Sequence, residues 1–296
     1  MMERIKTLLS LIIIIICLPY LVTFVVQGDF INDAGEQEDS EIRPDEDTER
    51  LILTLAGEMP VTYEKEALKA QAVIARTNLT YAREHDQAEP EYISQEEMRE
   101  RLGSKDYQKY YELLKQCVQE TAGKVITCQE KVVQLPYHYV SAGKTRDSDG
   151  KKSVSYLKSV SSMTDVSSER FLKIEFLSKK QFRNKLRSAY PDIRFPEEEI
   201  DKMASVVKRD SASYVMIVQL PGKKITGDEF RNVFALNSAC FSVREVDGKV
   251  RIVTKGYGQG YGLSQYGANE MAKEGSSYKK ILEYYYTGIK ISDAET

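Results

Sequence analysis

Hydrophobic positions divide the chain into three stretches of different character. Residues 8–26, LLSLIIIIICLPYLVTFVV, are uncharged and almost wholly apolar. A run of that length predicts a helix that can cross a hydrocarbon core of roughly 30 Å. Residues 28–50 are acidic and polar with few apolar side chains, so they cannot build a core and read as a flexible tether. From Leu51 onward, apolar residues return with the periodicities of folded structure.

Within that body, LILTLAGEM (51–59) reads as a short buried strand, and the pattern then turns helical from about Val61 to Glu84. Ala67, Ala70, Ile74, Thr77 and Tyr81 recur there at helical spacing, with Glu64 and Glu66 in the first turn, where the helix dipole favours them. Ser94-Gln-Glu-Glu97 is a capping-box signature for a short helix ended by Gly103, and a second helix runs from about Lys105 to Glu120. Strand-like runs KVITCQ and VVQLPYHYVS follow, then a polar loop from Gly143 to Ser153. Helix and strand signals alternate over 165–222, and residues 165–225 read as an inserted middle subdomain. Thr226-Gly-Asp-Glu229 is a further capping box, and FSVREVDGKVRIVTKG predicts a hairpin turning at Asp247-Gly248. A glycine-rich loop, GYGQGYGLSQYG, leads into a last helix around Asn269–Tyr286. Separated helices and antiparallel hairpins predict an α+β body rather than a wound parallel sheet.

Charge adds a topology. Arg4 and Lys6 precede the apolar run and acids follow it, which places the N-terminus in the cytoplasm and the body outside. The alternative is a cleaved signal peptide, but those have apolar cores of about 7–15 residues ending in a small-residue site. Here the run is longer, contains Pro19, and offers only Val-Gln-Gly ending at Gly28. The expected organisation is a single-pass anchor at 1–27, a tether at 28–50 and an exported domain at 51–296. Export excludes cytosolic cofactors such as ATP. Net charge is −3; residues 1–50 carry eleven acids against four bases, a balance of −7, so residues 51–296 carry the difference, +4. That mild excess suits an anionic matrix and equally an ordinary solvated surface. Cys117, Cys128 and Cys240 make no disulfide framework and no zinc spacing, although a Cys117–Cys128 bridge would be compatible with the sequence.

Candidate chemistry centres on GEMPVTYEKEALKAQAVIART (57–77). Glu58 lies between Gly57 and Met59-Pro60, after an apolar run and before the long helix; Pro60 biases Met59 away from helix and holds the glutamate on a bend. Desolvation would raise its pKa, as a general acid requires, while a helix N-terminus nearby would lower it; a bland helix-entry carboxylate is the competing reading. Gln71 and Arg76 share the next helix about 140° apart, and either contact a ligand or satisfy backbone near the core. With only two histidines, His85 and His138, a multi-histidine metal site is excluded. Gly143-Lys144-Thr145 echoes a phosphate loop, but His138 occupies the place of its required glycine, so nucleotide binding is rejected. Glycines at every second position of 256–262 allow close backbone approach, to a neighbouring strand or to a ligand. Tyrosine is abundant, at 19 residues, and tryptophan is absent; tyrosine faces can stack on sugar rings.

These blocks, in this order, resemble the stage II sporulation protein D family. GEMPVTYEKEALKAQAVIART is similar to its first block, LPYHYVSAGKT to its histidine-containing second block, and YLKSVSSMTD, GDEFRNVFALNSACFSV and GYGQGYGLSQYGANEMAKEGSSYKKILEYYYTG follow as in the family. The resemblance implies a membrane-anchored lytic transglycosylase that cuts peptidoglycan glycan strands stripped of peptides, at the engulfing septal membrane during sporulation. It implies stage II sporulation proteins P, an amidase, and M as partners, no nucleic acid, and Glu58 as the catalytic residue. Glu58 would protonate the oxygen between N-acetylmuramic acid and N-acetylglucosamine, then accept the proton of the muramoyl 6-hydroxyl as it attacks C1. Gln71, Arg76, His138, Ser141, Tyr156, Gln259, Gln265 and Tyr266 are the expected substrate-binding residues. A non-catalytic relative that stimulates an amidase is the alternative. Where the family usually reads GWGHGVGMSQYGA, this chain carries Tyr257, Gln259, Tyr261 and Leu263, so Gln259 replaces a histidine's hydrogen bonding only in part. Some relatives bind zinc through a cysteine beside the second-block histidine; Ser141 and Ala142 stand there, so no metal or other cofactor is expected.

Overall fold

A computed structural model describes residues 45–148, 150–197 and 199–293. The expected membrane anchor and most of the tether lie outside them. Among the described residues, no helix is long and apolar enough to cross a membrane.

The body opens with helix α1 (Glu46–Glu58), not with a strand. Residues 46–50, read by composition as the end of the tether, form its first turn, where Glu46, Asp47 and Glu49 favour the dipole. A short apolar run does not distinguish strand from buried helix, and here the acidic residues before it supply the missing length. The long helix α2 (Lys65–Glu84) is buried on two sides. Leu68, Ala72, Ala75 and Leu79 pack with α1, α3 (Gln95–Leu102) and α4 (Ser104–Glu120). Ala67, Ala70, Val73 and Ile74 face a second core that holds Ile126, Leu135, Leu263 and the last helix. Small alanines on both faces let α2 run through the middle of the molecule.

Strand β1 (Lys124–Cys128) pairs with β2 (Lys131–Val132) and, at the far end of the chain, with β11 (Lys290–Asp293). Strand β3 (Tyr137–His138) pairs in parallel with β10 (Leu263–Ser264), an exception to the otherwise antiparallel ladders of the described residues. The middle of the chain contains β4 (Leu172–Ser178), α5 (Lys179–Ala189), α6 (Ile200–Met203), β5 (Ser205–Arg209), β6 (Val215–Leu220), β7 (Lys223–Thr226), α7 (Gly227–Phe234), β8 (Phe241–Val246) and β9 (Lys249–Lys255). These elements share a third core of Phe182, Leu186, Val218, Phe230, Phe241 and Ile252. Because Phe241 and Ile252 belong to it, the subunit of packing extends through the β8–β9 hairpin, beyond the expected limit at residue 225.

Local signals fare well. Thr226 and Glu229 form a reciprocal capping box, with Glu229 N to Thr226 Oγ1 at 3.1 Å and Thr226 N to Glu229 Oε2 at 2.6 Å. Asp247 and Gly248 both take positive φ in the hairpin turn. The expected single last helix is two, α8 (Gln265–Lys273) and α9 (Tyr278–Tyr285), broken by Gly275 at φ +87° and restarted by Ser277 as N-cap. The segment expected as a polar loop is buried in its first part, where Thr145, Arg146 and Ser148 are covered, and exposed over residues 150–153. Its backbone is satisfied by Val160 O, Gly260 O and Leu157 O at 2.8–2.9 Å. Cys117, Cys128 and Cys240 are free thiols, so the Cys117–Cys128 bridge does not form.

Candidate active site

Helix α1 ends at Glu58 because Pro60 cannot continue it, and Met59 N still reaches Leu55 O at 3.1 Å. Glu58 is therefore the C-terminal residue of one helix, and α2 begins only at Lys65. The dipole argument changes sign. The negative end of α1 disfavours a carboxylate, where a helix N-terminus would have favoured it. Burial raises the Glu58 pKa as well, opposed by hydrogen bonds from Tyr137 and Gln71.

Elements α2, β3 and α8 (Gln265–Lys273) converge on Glu58. Gln71 on α2 is fully buried and donates from Nε2 to Glu58 Oε2 at 2.8 Å. Gln265, the first residue of α8, donates from Nε2 to the Glu58 carbonyl at 2.9 Å. Tyr137 on β3 hydrogen-bonds the carboxyl, which together with burial raises the phenol's own pKa. The parallel β3–β10 pair is clamped by Tyr286, whose hydroxyl donates to Pro136 O at 2.7 Å and accepts from Leu263 N at 3.3 Å. Gly262 makes that closeness attainable: at φ +67°, a Cβ there would lie 1.9 Å from Pro136 O. A second carboxyl, Asp165, is wholly buried behind the site. It accepts from Ser141 N at 2.7 Å and from Ser264 Oγ at 2.8 Å, and Ser264 caps α8 directly before Gln265. Desolvation raises its pKa against these donors.

Glu58 lines a cleft of about 700 Å³ with Gly57, Tyr92, Ile93 and Tyr137. A second cleft of about 660 Å³ is lined by Tyr156, Ser153 and Gln259. Both share Asn78, Tyr81, Gln134 and Tyr137, so they adjoin as one trough with Glu58 in one half. Two further acids line the first cleft, but Glu91 is exposed and Glu97 is paired with Arg101. Among these lining acids, Glu58 alone combines shelter from water with fixed neutral hydrogen-bond partners.

Comparison with known proteins places the chain in a family. A family model described as stage II sporulation protein (SpoIID) matches residues 48–128, which contain α1, α2 and Glu58. The chain is 31% identical over 264 residues to stage II sporulation protein D of Bacillus amyloliquefaciens, covering 84% of this chain and 74% of that one. This chain belongs to the stage II sporulation protein D family. It is 30% identical over 266 residues to the protein of that name from Bacillus subtilis strain 168, covering 83% of this chain and 74% of that one. A shorter likeness, 34% over 95 residues, is to an amidase enhancer of the same strain and covers 31% of this chain and 13% of that protein.

In this member of the sporulation protein D family, Gln71 and Gln265 gather at Glu58, and Tyr156 and Gln259 line the adjoining cleft. Four expected contacts lie elsewhere. Arg76 points away, donating to Thr121 O at 2.6 Å, Val118 O at 2.9 Å and Lys124 O at 3.3 Å, so it closes the C-terminal end of α4. His138 is buried beneath the glycine loop, where its Cβ would meet a Cβ at Gly258 at 2.6 Å. Its Nδ1 lies 3.0 Å from Tyr261 O, and burial lowers its pKa to about 4, so the ring is neutral at ordinary pH. Ser141 is buried, with Oγ accepting from Gly143 N at 3.1 Å. Tyr266 is half-buried, and its N–H reaches Tyr139 O at 3.0 Å. No group of three or more His, Cys, Asp or Glu side chains among the described residues is placed to hold a metal ion.

Sequence reading missed Tyr137, Asn78 and Asp165. Tyr137 stands next to His138 in the second block, and on a strand adjacent side chains point to opposite faces, so the histidine is buried while the tyrosine lines the cleft. Asn78 bridges to Leu135 N and O at 2.7 and 3.0 Å, pinning the β3 approach to α2.

Proposed function

We propose that this protein is a lytic transglycosylase acting on peptide-free peptidoglycan glycan, with Glu58 as both acid and base. The observation that carries the reading is the half-buried Glu58 carboxyl at a helix C-terminus, with its pKa raised, on the wall of a trough. In its neutral form it donates its proton to the oxygen linking N-acetylmuramic acid to N-acetylglucosamine, and the C1–O bond breaks. The muramoyl 6-hydroxyl oxygen then bonds to C1 while its proton passes to the Glu58 carboxylate, which regenerates the acid and leaves a 1,6-anhydro end. Hydrolases that activate water or form a glycosyl-enzyme use two carboxylates. An internal nucleophile needs one, in keeping with a trough that offers one sheltered acid. Gln71 and Tyr137 stabilise the transient carboxylate, and Gln265 fixes the helix end that presents it.

Residues 8–26 would anchor the enzyme in the cell membrane with its body on the outer side, at the engulfing septum. There it would work with stage II sporulation proteins P and M. Incubating the full-length protein in detergent with peptide-stripped glycan strands should yield anhydromuramoyl ends detectable by mass spectrometry. Undiminished product from Glu58→Gln would overturn the role given to that residue. The likeness to an amidase enhancer supports a second reading, a glycan-binding module that stimulates an amidase. It predicts raised amidase turnover with no anhydro product, and the same effect from Glu58→Gln.

A further inference from the structure

The sheet β4–β9–β8 has a free edge and an inverted face. In β4, Leu172, Ile174 and Phe176 are 49%, 50% and 54% exposed, while the half-buried alternate positions hold Lys173, Glu175 and Leu177. A strand with period-two alternation ordinarily buries its apolar set, and a one-residue shift would do so here. The ladder fixes the opposite outcome: Leu172 is paired with Lys255, Ile174 with Val253, and Phe176 with Arg251. Val250 and Ile252 therefore point into the third core, and the apolar side of β4 faces out.

The same outer face is cationic. It carries Lys249, Arg251 and Lys255 from β9, and Arg244, which is paired with Arg251, from β8. None of these four forms an ion pair among the described residues. The acids within the three strands, Glu175 and Glu245, alternate to the other face, where Glu175 pairs with Lys173 at 3.2 Å and Glu245 with Lys179 at 2.8 Å. An exposed apolar edge strand is a hazard unless something covers it.

We propose that this face docks on an anionic lipid surface, with Leu172, Ile174 and Phe176 entering the headgroup boundary and the four bases holding acidic headgroups. Short apolar side chains beside long bases whose stems can extend past them match an interfacial site, and charge complementarity selects an anionic membrane over a neutral one. Each base near such a surface strengthens binding by roughly fivefold. The choice of a lipid occupant rests on the anchoring proposed above: residues 27–45 reach at most about 65 Å, so a tethered body meets its own membrane repeatedly and a weak face suffices.

The absence of tryptophan makes the test direct. Full-length protein carrying Phe176→Trp is reconstituted into vesicles of brominated phosphatidylglycerol and phosphatidylcholine, alongside Gln108→Trp on α4 as control. Flotation reports anchoring, and quenching of emission reports docking. We expect strong quenching for Phe176→Trp and little for the control. Adding Arg251→Glu and Lys255→Glu, or replacing the anionic lipid by neutral lipid, should cut the quenching at least fivefold while flotation persists. Flotation without quenching overturns the docking face and leaves the anchor standing, and absence of both overturns the two together. An emission shift that needs added protein and no lipid overturns the lipid occupant in favour of a protein one.

Discussion

At the scale of single residues, the proposed chemistry depends on a carboxyl that resists ionisation. Glu58 has a folded-state pKa above its ordinary value of 4.5 because burial disfavours the charged form. The folded protein therefore binds this proton more tightly than the unfolded chain does. Its contribution to stability is intact below about pH 4.5 and is lost as pH rises through the folded pKa. Replacing it by a neutral isostere removes that loss. Glu58→Gln should melt at a higher temperature than the wild type at pH 8 and at the same temperature at pH 4, as followed by calorimetry. Gln71 acts in the other direction, since its hydrogen bond favours the carboxylate. In Gln71→Leu the descending limb of the pH–rate profile for glycan cleavage should move to higher pH, and an unmoved limb would remove Gln71 from the acid's environment.

At the scale of elements, the site depends on how helix ends meet. The first helix stops at Glu58 and α8 starts at Gln265, so the carboxyl is held between two helix termini and the flank of α2. The C-terminal end of α4 is closed by Arg76, a cation placed where the dipole is negative and where carbonyls lack intrahelical partners. Arg76→Met should cost roughly 2–4 kcal/mol in urea unfolding through the lost charge-assisted bonds. Glycan affinity of the folded fraction should be unchanged, because the guanidinium faces α4 and not the trough. Reduced affinity at full stability would restore Arg76 to the substrate.

At the scale of the whole molecule, the middle unit and the glycine loop are joined through Arg146. Its guanidinium is buried, bonds Asp210 Oδ2 at 2.8 Å, and lies over the rings of Tyr214 and Tyr261 at 5.0 and 4.5 Å. Its backbone N–H donates to Gly260 O at 2.8 Å, next to Gln259 on the trough wall. Removing one member of a buried pair strands the other, at about 3–5 kcal/mol. Arg146→Leu should be destabilised by that order in chemical unfolding, and Arg146→Leu with Asp210→Leu should recover a large part of it. Equal, additive losses would mean that the two charges do not act as a pair.

Much was legible in the sequence because it is local. The Thr226–Glu229 capping box, the Ser94 N-cap, the Asp247-Gly248 turn and the amphipathic course of α2 are written within a few residues, and the order of motifs carries the family. What only the tertiary structure decided lies across the chain. Glu58 ends a helix and not a strand because residues 46–50 join the apolar run that follows them in one helix, which Pro60 stops. Tyr137 reaches that carboxyl through pairing with a strand more than a hundred residues away. Arg76 and His138 look like ligand contacts in one dimension, yet the Arg76 guanidinium and His138 Nδ1 meet carbonyls that packing alone brings near. The β4 ladder turns an apolar alternation outward, since register is set by the partner strand and not by the strand's own pattern.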